Sequence, residues 1–566
     1  YGDKPQKTNT LSAGREITFV IREPKRGKYI EEAEWIKIFS SPEQEILEHA
    51  IRTPPHTLPL RWRLSEEEKK TALKIARDAV EKFLVAGQRL EQIYFSGLAP
   101  RFYLKTNLDV AFWVRGQLRG SAVVENVHLG DGIAEAAILA SHDRRFKPLS
   151  KEELTATRIE ITVIQNPFIP LSPKEFTQNK IYPEKGYLLQ QGRRKGWFLP
   201  EVLNVRRFSS LEHFLADLGH EKAGLDRGAH KNSAIYIFEV DDFIESESKI
   251  ESVSLYGPMP VSGNIAVNIS NVQNRLLAVA ADWLCRIQEA DGNIPPIINP
   301  LTGRRSQIDW PRLAFTAWAL AEFGNAAQEK KYLAAAGKSF SYLRNYLFSN
   351  FLFSVPHYEL TLAYFSRCAL SLGKLDDARK TAEKILERLN VLPFEPVTYS
   401  QIGGVFKVLK ETQPRFAKPF ERMAKFLKER FENELKGRRP MYPHTYRGVG
   451  MYLAVWAELM NVFHGVDAEY SSRIAEWLKN QQLPNGAFPE STVSDFVYVR
   501  GTGKIFEVLT LEPEKNKQAI AASLDWLFSM QYNDENTFFV REEIQPQVIG
   551  GFRHDYFNQE AWIDSA

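Results

Sequence analysis

Cysteine is nearly absent from this chain. Its 566 residues include two, Cys285 and Cys368, both inside apolar stretches with helical spacing. Two thiols so placed build neither a disulfide framework nor a thiolate metal cage, and buried core positions explain them more simply. They leave the redox compartment open, because a large exported domain is stable without disulfides. Long hydrophobic runs are missing as well: no stretch reaches the roughly 18 apolar residues of a membrane-spanning helix. Charge of one sign is not in excess, with 73 basic against 70 acidic residues and a formal net charge of +3. That balance gives no general electrostatic reason to expect nucleic acid or an anionic membrane as partner. No His-x-x-x-His pair occurs, so no metal site is expected, and no phosphate-loop or dinucleotide fingerprint calls for a cofactor. The glycine-rich Gly501-Thr502-Gly503-Lys504 lies within a helical stretch and follows no strand.

What is present is ample material for cores: 44% of residues are hydrophobic and 12% aromatic. A single core stops growing near roughly 250–300 residues, so at least two domains are expected. Residues 1–63 read as an extended arm with one strand from Glu16 to Arg22 and prolines at 54, 55 and 59. Ser65 and Glu68 form a capping box that opens a helix, with Leu73, Ala76, Val80, Phe83 and Leu84 on one apolar face. Strands and helices are interspersed over residues 64–245, a linker covers 246–270, and amphipathic helices alone fill 271–566. The first residue is Tyr1 rather than Met, as signal-peptide removal or trimming would leave it, so cytoplasm and export both stay open.

Within 64–245, a β-rich run from Leu108 to Val114 leads into Leu118-Arg119-Gly120-Ser121. A helix from Gly132 to Ala140 follows, then Asp143-Arg144-Arg145-Phe146-Lys147-Pro148 and the strand Ile159 to Ile164. Later come a glycine turn from Gly192 to Gly196, Phe198-Leu199-Pro200-Glu201-Val202, and Lys222-Ala223-Gly224-Leu225. In this order the motifs resemble the AMMECR1 family, which implies an α+β domain. The family's motif cysteine is Ser121 here, and the glycine two residues on is Val123. If that cysteine acts as a thiolate in relatives, this chain has lost the nucleophile, since an unassisted serine hydroxyl is far less ionised.

The second half carries an internal repeat. Trp283-Leu284, Trp477-Leu478 and Trp526-Leu527 each continue as x-x-x-Gln, ending at Gln288, Gln482 and Gln531, and then reach Asp291-Gly292, Asn485-Gly486 and Asn533-Asp534. Trp477 and Trp526 are 49 positions apart and Trp283 and Trp477 are 194 apart, close to four such units. Degenerate counterparts fall at Tyr342-Leu343, Ile385-Leu386 and Phe426-Leu427. A period of about 40–50 residues suits one helical hairpin, and hairpins stack because none buries its apolar face alone. Each outer helix is expected to pair with an inner one: Pro311–Phe323, His357–Leu372, Tyr399–Leu409, Tyr446–Phe463, Phe496–Leu509 and Tyr556 onward, the last running past Ala566. Six hairpins favour a closed (α/α)6 toroid, and the Trp-Leu-x-x-x-Gln pattern is similar to that of terpenoid cyclase and prenyltransferase-type toroids. The Asp-x-Asp-Asp of a protonating cyclase is absent, and neither cysteine stands at an inner-helix start as a zinc prenyltransferase would require.

The inner helices are expected to begin at one mouth, and their starts are polar. Proton transfer there would fall to Glu359, His357, His444, Asp495 and Asp555, and ligand contacts to Tyr446, Arg447, Arg500 and His554, with Arg119 and Ser121 serving the first domain. N-capping accounts for Asp309, Thr445 and Asp495 at lower cost. The expected function is a non-catalytic or catalytically altered binding protein for a small polar ligand or a protein partner. The alternative is a toroid enzyme working on a carbohydrate-like substrate by acid/base chemistry.

Overall fold

Residues 7–12, 16–21, 63–95, 97–165, 169–171, 185–245, 252–254, 276–348, 357–437, 451–534 and 536–566 are described in the computed structural model. Most of the expected arm and linker therefore lies outside the described residues. Two units are distinguished: residues 1–175, 184–200 and 215–256 form the first, and 176–183, 201–214 and 257–566 the second.

In the first unit, β1 (Lys7–Ser12) and β2 (Glu16–Ile21) pair with each other in antiparallel register. The helix α1 (Glu66–Ala86) starts at Ser65, whose hydroxyl and backbone exchange hydrogen bonds with Glu68, and stops at Gly87 with a left-handed φ of 65°. Its buried face is Ala72, Leu73, Ile75, Ala76, Ala79 and Val80. An antiparallel sheet runs in the order β4 (Gln117–His128), β3 (Lys105–Val114), β5 (Thr157–Ile164), β9 (Ala234–Glu245), β7 (Lys185–Gln191), β8 (Arg194–Phe198). The strands β6 (Ile169–Leu171) and β10 (Ser252–Ser254) also pair with β9. Alternation assigns Leu108, Val110 and Phe112 of β3 to the core shared with α1 and α2 (Leu129–Ser141). Asp109, Ala111 and Trp113 consequently belong to the opposite face. Gly120 is required by this packing, because a Cβ there would lie 2.1 Å from the Ala140 carbonyl oxygen on α2.

The second unit is largely helical: α3 (Ala278–Ile287), α4 (Trp310–Ala327), α5 (Lys330–Leu347), α6 (Tyr358–Ser371), α7 (Leu375–Arg388), α8 (Pro396–Leu409) and α9 (Ala417–Leu435) come first. Then follow α10 (Leu453–Ala457), α11 (Met460–Phe463), α12 (Ala468–Lys479), α13 (Val499–Leu509) and α14 (Lys517–Met530). The members expected to lie inside pack in sequence: α4 on α6, α6 on α8, α8 on α10 and α11, α10 on α13. A terminal 3-10 turn, Ile563–Ser565, packs on both α13 and α4, which completes a circuit of contacts.

The repeat supplies the matching lock on the outside. Gln288 Nε2 donates to the Ala335 carbonyl (2.9 Å) and Ser339 Oγ (2.8 Å) of α5. Gln482 does the same to Ala519 (2.8 Å) and Ser523 (3.0 Å) of α14. Gln531 reaches the carbonyl of Leu276, at the entrance to α3, and that of Gly550 (3.1 and 3.0 Å). Beside each lies a glycine with positive φ: a Cβ on Gly292, Gly486 or Gly550 would lie 2.4, 1.9 or 2.7 Å from the carbonyl oxygen of Lys338, Ala522 or Val279. In every case that carbonyl is three residues beyond the one the glutamine binds, so the third instance engages α3 as the first engages α5. Trp283 and Trp526 are buried, and Trp477 packs edge-on against Phe431.

Three expected inner helices differ. The one expected over Tyr446–Phe463 is described from residue 451, where two short helices, α10 and α11, stand in place of one continuous helix. From Tyr556 the chain is not helical: Asp555 Oδ1 accepts from the amides of Phe557 and Asn558, and Asn558 Oδ1 from that of Glu560. Such side-chain bonds to nearby backbone compete with helix formation. The chain continues into β14 (Ala561–Trp562), paired with β11 (Ile297–Ile298), and then the 3-10 turn. The helix expected from Phe496 begins at Val499, because Ser494–Val497 forms a strand, β13, paired with β12 (Pro489–Ser491). Replacing Gln531 with Ala leaves two buried carbonyls without their donor, at a cost of about 1–3 kcal/mol. Urea unfolding measures this, and the same change at Gln481, whose contact to Trp477 is a marginal 3.5 Å, is expected to have little effect.

Candidate functional site

Two polar clusters are built by these frameworks, one in each unit. In the first unit the motif residue Ser121 is held by the Asp143-x-Arg145 loop. Its amide donates to Asp143 Oδ2 (3.1 Å), and its hydroxyl oxygen accepts from Arg145 Nη2 (2.9 Å). Burial would raise the Asp143 carboxyl, but the bonds from Arg145 and Ser121 hold it below the usual range. Arg119 is committed to Glu153 through Nε and Nη2 at 3.1–3.3 Å, a lock between β4 and the turn Lys151–Leu154.

On the sheet face opposite the core, Asp109, Thr162 and Asp242 are direct cross-strand neighbours on β3, β5 and β9. Thr162 Oγ1 donates to Asp242 Oδ1 (3.1 Å). Burial, reinforced by the neighbouring Asp241 and Asp109, pushes the Asp242 carboxyl up to about 8. Burial likewise pushes Asp109 to about 7, with Lys222 and Arg145 pulling the other way. Folding therefore takes up protons at this row near neutrality. The folded value of Asp242 lies above its unfolded value, so its penalty is absent in acid and grows as pH rises through roughly 4 to 8. Asp242→Asn is expected to raise the melting temperature over the native chain by more at pH 8 than at pH 5, read by differential scanning calorimetry. A difference independent of pH would contradict the assignment.

In the second unit the elements of the inner circuit carry a connected set of charges. Arg312 Nε of α4 and Arg500 Nη1 of α13 both donate to Asp564 Oδ2, at 2.9 and 3.1 Å. One turn deeper on α13, Lys504 Nζ lies 3.6 Å from Glu458 Oε1. Glu458 Oε2 accepts from Gln401 Nε2 of α8 and from Asn461 Nδ2 of α11 (2.7 Å). The oxygens of both amides accept from Arg367 Nη1 of α6, at 2.9 and 2.6 Å. The Arg367 guanidinium carbon is 3.9 Å from the centre of the Trp318 ring on α4, which brings the belt back to the helix of Arg312.

Arg500 is enclosed by Asp564, Tyr364, Tyr498 and Glu458, yet 34% of its side chain remains accessible. Tyr364, stacked on Trp318 with ring centres 6.1 Å apart, is 1% exposed, and burial pushes its phenol up to about 12. Its hydroxyl, Asp564 Oδ1 and Trp562 Nε1 have no hydrogen-bond partner among the described residues. Nearby, His554 Nδ1 is 2.6 Å from Asp555 Oδ2, and its ring stacks on Tyr498. Burial raises the Glu490 carboxyl, with His554 acting in the opposite sense.

Of the expected site residues, Arg500, His554 and Asp555 come together here through Tyr498, Asp564 and Trp562. Glu359 is instead engaged by Arg388 Nε (2.7 Å), and His357 is exposed with a φ of 55°. His444, Tyr446, Arg447 and the Asp495 side chain lie outside the described residues, as does Thr445. Asp309 does cap α4, accepting from the Arg312 amide (3.1 Å). Unanticipated were Arg367, Gln401, Glu458 and Lys504. Their signal was a polar or charged residue set among mostly apolar neighbours, on segments that also carry Glu359, Lys407, Arg500 and Glu507.

The AMMECR1 family model matches residues 73–243. A protein of Methanosarcina acetivorans is 32% identical over 199 residues, covering 34% of this chain and 98% of that protein. One of Methanosarcina barkeri is 32% identical over 193 residues, covering 32% and 93%. Among solved structures, an uncharacterised protein of Pyrococcus horikoshii is 25% identical over 32% of this chain and 94% of its own, with a TM-score of 0.29. A type II terpene cyclase from Scytonema is 13% identical over 47% and 80%, with a TM-score of 0.31. Scores of that size establish neither fold nor activity. The sequence relatives do establish kinship, and through residues 73–243 this chain belongs to the AMMECR1 family.

Proposed function

We propose that this is a binding protein in which a non-catalytic AMMECR1 domain is joined to a closed toroid of helical hairpins that holds a small, carbohydrate-like ligand. Support for closure comes from the repeat register, in which Gln531 and Gly550 treat α3 as the next outer helix, and from the circuit through the terminal 3-10 turn. In this reading the sixth inner place is taken by that turn in place of a helix. A reduced chemical role for the AMMECR1 domain is supported by Ser121, whose oxygen serves as acceptor to Arg145 and donates to no base among the described residues.

The observation that carries the ligand is the Tyr364 hydroxyl. It is wholly buried, lies in the field of Glu458, Arg500, Lys504 and Arg367, and finds no partner among the described residues. Buried polar atoms are nearly always bonded, to protein or to something the protein encloses. Donors and acceptors interspersed with the faces of Trp318 and Phe315 suit a hydroxylated ring, which presents polar edges and an apolar face. Tyr364→Phe separates this role from a structural one. Without ligand the variant should be as stable as the native chain or more so, since an unsatisfied buried hydroxyl is removed. Its affinity for monosaccharides, screened by isothermal titration calorimetry, should fall by about tenfold. Loss of stability with affinity unchanged would sink the reading.

A second reading, acid/base catalysis in the same toroid, is favoured by one arrangement. Asp555 orients the His554 ring, and Glu490 nearby is biased by burial toward its protonated form. Under this reading Glu490→Gln would abolish release of reducing ends from an oligosaccharide probe and leave binding intact. No turnover by the native chain would remove it.

A further inference from the structure

Resting on the proposal of a ligand-binding interior, we infer that Arg367 is the anchor for an oxyanion carried by that ligand, so that the natural ligand is an acidic rather than a neutral sugar. The geometry is that of a cation held ready. Both hydrogen bonds that its guanidinium makes to described residues leave from one nitrogen, Nη1, to Gln401 Oε1 and Asn461 Oδ1. These two acceptors cannot rotate away, because the amide nitrogens of the same residues are fixed on Glu458, which Lys504 holds from the other side. Trp318 fixes the plane of the guanidinium from below at 3.9 Å. The remaining edge, Nε and Nη2, makes no hydrogen bond to a described residue, and the side chain is only partly buried.

That free edge is the pair of parallel N–H donors that matches two oxygens of a carboxylate or phosphate. Glu458, Glu322 and Glu507 act on Arg367 through space, but none forms an ion pair with it. Elsewhere in the belt the cations have carboxylate partners: Arg312 and Arg500 share Asp564, and Lys504 has Glu458 and Glu507. Among the described residues, Arg367 is met by neutral amides and an indole. A structural arginine in this position would be expected to use its fork on the protein. One whose supports are built and whose fork is left open is preorganised for a ligand. Burial correspondingly lowers the tendency of Arg367 to carry its proton, a cost that a bound anion would offset.

The test uses the whole chain and three probes sharing one ring: glucose, glucuronate and glucose 6-phosphate, titrated by calorimetry. Binding of glucuronate or glucose 6-phosphate, or both, with glucose weaker by at least about tenfold is expected, and the stronger of the two identifies the oxyanion. In Arg367→Lys, which keeps the charge but loses the fork, the acidic probe should weaken by about tenfold while glucose is unaffected. Circular dichroism and the melting temperature of Arg367→Lys and Arg367→Met establish that the fold persists. Equal affinity for all three probes, or an acidic probe indifferent to Arg367→Lys, overturns the inference and leaves the ligand-binding interior standing. If no probe binds, both fall.

Discussion

Buried charge must find a partner, and in the second unit that requirement organises the inner elements. Arg312 of α4, Asp564 of the terminal 3-10 turn, Arg500 and Lys504 of α13, Glu458 between α10 and α11, Gln401 of α8 and Arg367 of α6 form a chain of polar contacts that joins these elements to one another. Ion pairs taken out of water add little net stability, since desolvation consumes most of the Coulomb gain. What they impose is register. A helix rotated by one residue would leave a charge facing its apolar neighbours, and the cost of that alternative exceeds anything repacking returns. The belt thus selects one arrangement among the many that an apolar helical pattern permits.

The helices that carry the Trp-Leu-x-x-x-Gln units are joined by repetition. Each glutamine of the Trp-Leu-x-x-x-Gln units bonds the next outer helix, and a glycine allows the turn to approach that helix to within contact of its backbone. The contacts of the repeat are therefore alike from unit to unit, whereas those of the charged belt are not. The Tyr364 hydroxyl and Asp564 Oδ1 are left without a hydrogen-bond partner among the described residues once the belt is complete.

The first unit shows the same separation across a single sheet. One face of β3 gives Leu108, Val110 and Phe112 to the core, while the other places Asp109 in line with Thr162 and Asp242. Raised carboxyl values follow from burying acids side by side, and they are paid for by the stability of the apolar face. In the motif loop, Asp143 and Arg145 hold Ser121 on both its amide and its hydroxyl, so the residue is fixed in place even though its side chain is not the family's thiol.

Features set by near neighbours were legible in the sequence. The Ser65–Glu68 capping box, the Asp309 cap, the Trp-Leu-x-x-x-Gln spacing and the family motifs around Gly120 are all local patterns, and local patterns depend on periodicity and short-range bonding. The Tyr556 segment misled because apolar spacing there competes with the side-chain bonds of Asp555 and Asn558, which win. Glu359 misled because its partner, Arg388, belongs to a different helix. The belt itself was beyond reach, since it joins Arg367 to Asn461 across 94 positions and Arg312 to Asp564 across 252. An arginine set among mostly apolar neighbours, as Arg367 is within α6, announces that it needs company, and the sequence by itself determined that much. Which side chains answer, and which edge of the guanidinium is left open, only the tertiary structure decided, because those depend on how distant helices are turned toward one another.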